Sequence, residues 1–343
     1  MRIFESDLKQ IAERAHLDLL QLKDAHIFLT GGTGYIGRWL LESLQYANVM
    51  LGLGIKVTVL SRNPGNFVER YPHFGASSLV SWLAGDIRTF NFPEHTYSHV
   101  IHAATDVVAR NTEIDTFDVI VSGTKRVLEF ARLNEIRQVL LLSSGAVYGA
   151  IPASIHRVSE NYAGAPLATD PRSAYGLGKL AAEWLGAAYS EDGRIACKTA
   201  RLFTQVGPYL ALDKRFAVGN FVQNALNNEP FLIKGDGTAL RSYMYGSDLV
   251  VWLLRILCQG KAAYPYNVGS DDPITIAELA NLTAKVAEIS EPKITIMGQP
   301  SLSSPQDRYI PDISRAQNEL GLEIVVKVEE AMAKTLGWFR HQQ

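Results

Sequence analysis

Three side chains in this chain have the types and spacing to move a proton in step with a hydride. Tyr175 and Lys179 stand four residues apart in Ala174-Tyr175-Gly176-Leu177-Gly178-Lys179. The pattern is helical from Ser173 onward, so the two share one helix face. Ser144 follows the apolar run 138–142 and Ser143. A hydride arriving at a ketone builds negative charge on its oxygen, which then needs a proton donor and a second hydrogen bond. A phenol, with a pKa of about 10, serves near neutral pH only if its anion is favoured. An ammonium one helical turn away would favour it and could also hold a nicotinamide ribose. Ser144, at a strand tip, can bond the same oxygen. A tyrosine four residues before a lysine is by itself a common coincidence, so the surrounding elements decide its meaning.

The first of these elements is Thr30-Gly31-Gly32-Thr33-Gly34-Tyr35-Ile36-Gly37, between the apolar run 26–29 and a helical pattern over 35–48. Strand, glycine turn and helix together form a dinucleotide-binding context. A missing Cβ lets the backbone approach a pyrophosphate, and the helix start offers N–H groups and the positive dipole end. Gly31, Thr33, Gly34, Tyr35 and Ile36 are therefore expected at a cofactor. No Gly-Lys-Ser/Thr follows, which excludes an ATPase-type phosphate loop. After the second strand, 55–60, the chain reads Ser61-Arg62-Asn63 with no acid. A guanidinium suits a 2′-phosphate. Arg62, with Arg38 as a possible second charge, favours NADP, and NAD is the alternative. A third strand leads to Gly85-Asp86-Ile87, which puts Asp86 and Ile87 beside the adenine. Strand 99–103 ends in small residues, Ala103 and Ala104, that let a cofactor approach. His102 reads as a packed structural histidine. A helix over 113–134 and a strand over 195–203 complete the alternation, which implies a parallel doubly wound α/β sheet of Rossmann type.

The totals agree with a folded enzyme. The chain has 343 residues, 47% hydrophobic and 20% charged, enough for a core and too few charges for disorder. A net charge of −2 gives no footprint for nucleic acid. Cys197 and Cys258 have no metal-ligand spacing, so no metal is expected. The polar N-terminus argues against a signal peptide, and the run 249–258, with Arg255 inside it, is too short to cross a bilayer. These features point to a cytoplasmic protein without membrane contact. Residues 1–24 have helical apolar spacing and are expected to lie as a helix on the domain. Residues 25–207, with 246–270 returning to them, are expected to form the nucleotide-binding domain. Residues 208–245 and 271–343 are expected to form a smaller α/β substrate lobe.

The ordered set Thr30-Gly31-x-x-Gly34-x-x-Gly37, Gly85-Asp86-Ile87, His102-Ala103-Ala104, Ser143-Ser144 with Tyr148-Gly149, and Tyr175-x-x-x-Lys179 resembles an extended short-chain dehydrogenase/reductase. More narrowly it is similar to the nucleotide-sugar epimerase/dehydratase group, over about residues 26–340. The resemblance implies a nucleotide-diphosphate sugar as substrate and hydride chemistry at a sugar carbon. It implies a homodimer through long helices near 107–133 and 173–190. It assigns Arg241, Arg308 and Thr105 to the substrate. Dehydratases of the group carry an Asp-Glu pair after the active-site hydroxyl residue, where this chain has Gly145-Ala146, so water elimination is rejected. An NADP-dependent reductase of a 4-keto-(6-deoxy)sugar is the expected activity. An NAD-dependent 4-epimerase is the alternative, and a non-catalytic NADP sensor or scaffold is the reading from another class.

Overall fold

The computed structural model describes residues 2–105, 112–212, 216–299 and 307–342. Its centre is a seven-stranded sheet of β1 (His26–Thr30), β2 (Lys56–Ser61), β3 (Val80–Ala84), β4 (His99–His102), β5 (Gln138–Ser144), β6 (Ala196–Leu202) and an edge strand, Pro265–Val268. From that edge the order is Pro265–Val268, β6, β5, β4, β1, β2, β3, and every neighbouring pair is parallel. Strands covered on both faces read as unbroken apolar runs, and β1 and β5 do so. The order reverses at β1, with β2 on one side and β4 on the other. That switch point opens a crevice at the strand ends, where the glycine turn and the Ala103-Ala104 segment meet.

Helices Glu113–Leu133 and Ala174–Ser190 pack together on one face. The first starts with a capping box between Thr112 and Asp115. The first residues of the expected 107–133 stretch lie outside the described residues. On the other face lie helices Tyr35–Leu51 and Gly246–Gln259; the second is almost wholly buried. Residues 1–24, expected as one helix, form two, Glu5–Arg14 and His16–Gln21, parted at the buried Ala15. They lie across the helices at 35–51 and 246–259.

The remaining elements are short. Phe231–Ile233 pairs with Ile294–Ile296, and Leu240–Arg241 sits between Ile274–Thr275 and Arg308–Tyr309. Helices Ala217–Asn227, Ile276–Val286, Ser314–Leu320 and Val328–Arg340 surround them. Leu240–Arg241 and Met244–Tyr245 are separate short strands, because Met244–Tyr245 pairs with Gln205–Val206 instead. Among the described residues no helix is long and apolar enough to cross a membrane.

Candidate active site

The glycine turn is pressed against the end of β4. Gly31 has φ +72°, and a Cβ there would stand 2.6 Å from the Ala103 carbonyl carbon and oxygen. A Cβ on Gly37 would meet the Gly31 carbonyl at 2.4 Å, so the third glycine lets the helix seat on the turn. A cleft of about 1190 Å³ opens there. Gly31, Thr33 and Gly34 form one wall, Ala103, Ala104 and Thr105 a second, and Asp86 and Ile87 a third. A backbone cradle without side chains beside a helix N-terminus fits a dinucleotide pyrophosphate. Tyr35 and Ile36, also expected at the cofactor, pack their side chains against the core.

Arg62 lines the cleft past β2 together with Ser61, Asn63, Asn66 and Arg70. Arg38 also lines it, but its guanidinium is engaged by the protein. It donates to Gly34 O at 3.2 Å and to the Tyr71 hydroxyl at 2.9 Å, and lies over the Tyr209 ring at 4.5 Å. Arg38 therefore pins two segments together through neutral partners while its charge lines the cleft. Asp86 accepts from the Arg88 side chain at 2.9 and 3.1 Å, and Arg88 also reaches Asp118 at 2.9 Å. These bonds hold the Asp86 carboxyl below its ordinary pKa. His102 is structural, as read: its ring meets Thr30 Oγ1 at 2.7 Å and Thr124 Oγ1 at 3.1 Å, and burial pushes its pKa down to about 3. Thr30 Oγ1 in turn accepts from Ala104 N at 3.1 Å, which fixes the small-residue wall.

Ser144, Tyr175 and Lys179 come together just beyond Thr105, the residue of the cleft wall that Lys179 bonds. Ser144 is the last residue of β5, and its Oγ accepts from Ala146 N at 3.2 Å. Lys179 Nζ is 6.0 Å from the Tyr175 ring centre and donates to Leu142 O at 2.7 Å and Thr105 Oγ1 at 2.6 Å. Thr105, expected at the substrate, is thus a lysine anchor that also lines the cleft. Burial lowers the Lys179 pKa to about 8, and Glu183 opposes the shift. Burial raises the Tyr175 phenol, and the nearby Ser144 hydroxyl opposes that shift.

The Tyr175–Lys179 motif does not include the residue that braces the end of β5. Glu183, one turn beyond Lys179 on the same helix face, accepts from Ser143 Oγ at 2.5 Å and pairs with Arg201 of β6 at 2.7 Å. The four-residue series Tyr175, Lys179, Glu183 was a usable signal; Arg201 reaches it only through the sheet. Tyr309 is a second residue the motifs did not mark, and its phenol faces Ser144. The two expected substrate arginines stand apart from the trio. Arg241 donates to Asp307 Oδ2 at 2.5 Å and lines a separate cavity of about 200 Å³ with Thr204, Phe216 and Tyr243. Arg308 meets His156 Nδ1 at 2.5 Å.

Known proteins resemble this chain along most of its length. UDP-glucuronic acid decarboxylase 1 of Arabidopsis thaliana is 29% identical over 321 residues, 93% of this chain and 71% of that protein. UDP-glucuronic acid decarboxylase 6 of the same plant is 30% identical over 318 residues, 89% and 86% of the two chains. Among solved structures, a UDP-glucuronic acid 4-epimerase from Bacillus cereus, in complex with UDP-glucuronic acid and NAD, superposes with a TM-score of 0.78. It is 20% identical, covering 93% of this chain and all of that one. A UDP-glucose 4-epimerase from Thermotoga maritima gives 0.77 at 21% identity, covering 92% and 99%. Both structures speak to the fold alone. The NAD dependent epimerase/dehydratase family matches residues 27–269, and with the glycine turn, the sheet order and the serine–tyrosine–lysine convergence this chain belongs to that family, as an NAD(P)-dependent enzyme of the extended short-chain dehydrogenase/reductase group.

Proposed function

We propose that this enzyme removes hydride from C4 of a UDP-sugar and returns it within one binding event, as a 4-epimerase. The observation that carries the reading is the meeting of Ser144, Tyr175 and Lys179 beside the dinucleotide cleft, with Gly145 and Ala146 following Ser144. A bound nicotinamide would supply and accept the hydride. Tyr175 takes the C4 hydroxyl proton as the carbonyl forms and gives it back as the carbonyl is reduced. The one Ser144 proton is donated to the same oxygen while the carbonyl is present and to the phenolate otherwise. Lys179, held by Thr105 and Leu142 O, keeps positive charge beneath both. Gly145 and Ala146 bring no acid or base to C5 or C6, so elimination of water has no partner on this strand end.

Two further readings stay distinct. The decarboxylase relatives favour one in which the substrate is UDP-glucuronic acid: a C4 ketone β to the carboxylate loses CO2 without further acid catalysis, and the ketone is then reduced. The reductase reading rests on Arg62 alone, and the relatives named above are decarboxylases and epimerases. For the cofactor we infer NADP, because Ser61, Arg62, Asn63, Asn66 and Arg70 gather past β2 with no carboxylate at that strand end. We also read residues 25–207 and 246–270 as the cofactor domain and 208–245 and 271–343 as the substrate lobe.

Purified protein incubated with NAD(P)+ and either UDP-glucose or UDP-glucuronic acid, followed by proton NMR, separates these outcomes. A C4 epimer is the expected product. A UDP-pentose with CO2 would replace epimerase by decarboxylase. Oxidation of NADPH only when a 4-keto sugar is supplied would replace both by reductase.

A further inference from the structure

Tyr309 comes to Ser144 from the far end of the chain, and Tyr175 is a neighbour of its phenol. The strand Arg308–Tyr309 pairs with Leu240–Arg241, and the next residue's carbonyl, Ile310 O, accepts from Val158 N at 2.9 Å. The Tyr309 ring packs on Phe203 with centres 4.6 Å apart. Alternation along the strand sends Arg308 to His156 and Tyr309 the other way, toward Ser144. A Cβ on Gly145 would stand 2.6 Å from the Tyr309 hydroxyl. A side chain at 145 and this phenol therefore exclude each other. In this chain the phenol stands in the space just after the active-site hydroxyl residue.

Counting donors and acceptors gives that placement a consequence. A serine hydroxyl has one proton and two lone pairs. One lone pair of Ser144 Oγ is taken by Ala146 N–H. A phenol donating to the second would leave only the proton, with Tyr175 and the reacting oxygen as its remaining partners. We propose that Tyr309 is a positioning residue, whose phenol sits beside Gly145 and donates to Ser144 Oγ so that the one serine proton is aimed at Tyr175 and the sugar oxygen. The inference rests on the reading of Ser144 and Tyr175 as the proton-moving pair. Burial keeps the Tyr309 phenol protonated, as a donor must be. Hydrogen bonds in such a chain strengthen one another.

The test reads Tyr175 directly and needs no sugar. Protein labelled with carbon-13 at tyrosine Cζ is titrated by NMR, and the Tyr175 signal is identified by its loss in Tyr175→Phe. Tyr309→Phe, Ser144→Ala and the double variant are compared with the parent, each first checked for NAD(P) binding. Tyr309→Phe is expected to move the Tyr175 midpoint up by about one pH unit, the effect of losing one directed hydrogen bond to the anion. Ser144→Ala should move it at least as far, and the double variant no further than Ser144→Ala. Gly145→Ala, which displaces the phenol without deleting it, should act like Tyr309→Phe and guards against a folding effect of either. A Tyr175 midpoint unchanged in both Tyr309→Phe and Gly145→Ala overturns the proposal. So does a Tyr309 effect that persists when Ser144 is already gone. Failure to turn over any UDP-sugar, with the midpoints behaving as expected, would sink the proposed reaction and leave the role of Tyr309 standing.

Discussion

Lys179 shows at the level of one side chain how function opposes stability. Its ammonium is 5% exposed, and burial brings its pKa from 10.5 to about 8. The unfolded chain then holds the proton more tightly than the folded one between those values. Stability contributed by this group rises with pH across that window and is complete above the unfolded value. At neutral pH the buried charge costs about 3 kcal/mol, to be set against its bonds to Thr105 and Leu142 O. Lys179→Met should therefore lose turnover by about a thousand-fold or more with no fall in melting temperature below pH 8. The stability gap between the two proteins should shift toward the parent as pH rises to about 10.5. Urea melts of both at a series of pH values would show it; a gap that does not move with pH would contradict the buried-ammonium assignment.

At the level of elements, the two N-terminal helices are tied down by buried carboxylates. Asp7 accepts from the Tyr245 hydroxyl at 2.6 Å and from Lys334 at 2.7 Å. Asp18 accepts from Arg255 at 2.7 Å and Gln259 at 2.8 Å. Asp248 receives Val325 N and Val326 N at 3.1 and 2.9 Å and pairs with Arg14. Removing one partner of such a set leaves the others unpaired. Asp7→Ala is expected to cost about 2–4 kcal/mol, read as a lower urea midpoint with an unchanged slope; a loss under about 0.5 kcal/mol would make the seam a solvated one.

These ties also mark where the sequence stopped being readable. Helical spacing placed residues 1–24 on the domain, but nothing local marks Asp7 and Asp18 as buried, because their partners lie more than 200 positions away. The glycine turn, the strand runs and the Tyr175–Lys179 spacing were legible because their physics is local. The packing of Arg38 was not legible because its two aromatic neighbours, Tyr71 and Tyr209, come from other segments. Arg308 was marked by the family resemblance, while its neighbour Tyr309 is the residue whose phenol faces Ser144. That reach depends on a strand from the far end of the chain that pairs with Leu240–Arg241 and brings the Tyr309 hydroxyl up to Gly145, just past β5.

Across the whole molecule, two surfaces carry predictions. The helices Glu113–Leu133 and Ala174–Ser190 expose Ile114, Leu133 and Trp184, with Trp184 69% exposed. Large apolar groups on adjacent helices favour a partner surface, and we propose a homodimer there. Trp184→Glu should convert it to monomer in sedimentation; a parent protein that sediments as a monomer would remove the proposal. At the other end of the sheet, Arg62→Asp should weaken NADP by about ten-fold or more relative to NAD, measured by cofactor titration. An unchanged preference would return the choice to NAD.

The central claim is that Ser144, Tyr175 and Lys179 move a proton while hydride leaves C4 of a UDP-sugar and comes back. UDP-glucose and UDP-glucuronic acid deuterated at C4 test it most directly, with products read by NMR and mass spectrometry. The prediction is product that keeps its deuterium at C4 and takes none from solvent, with turnover falling by about a thousand-fold in Tyr175→Phe although NAD(P) still binds. Product that exchanges its C4 label with water, or equal turnover in Tyr175→Phe, would contradict it.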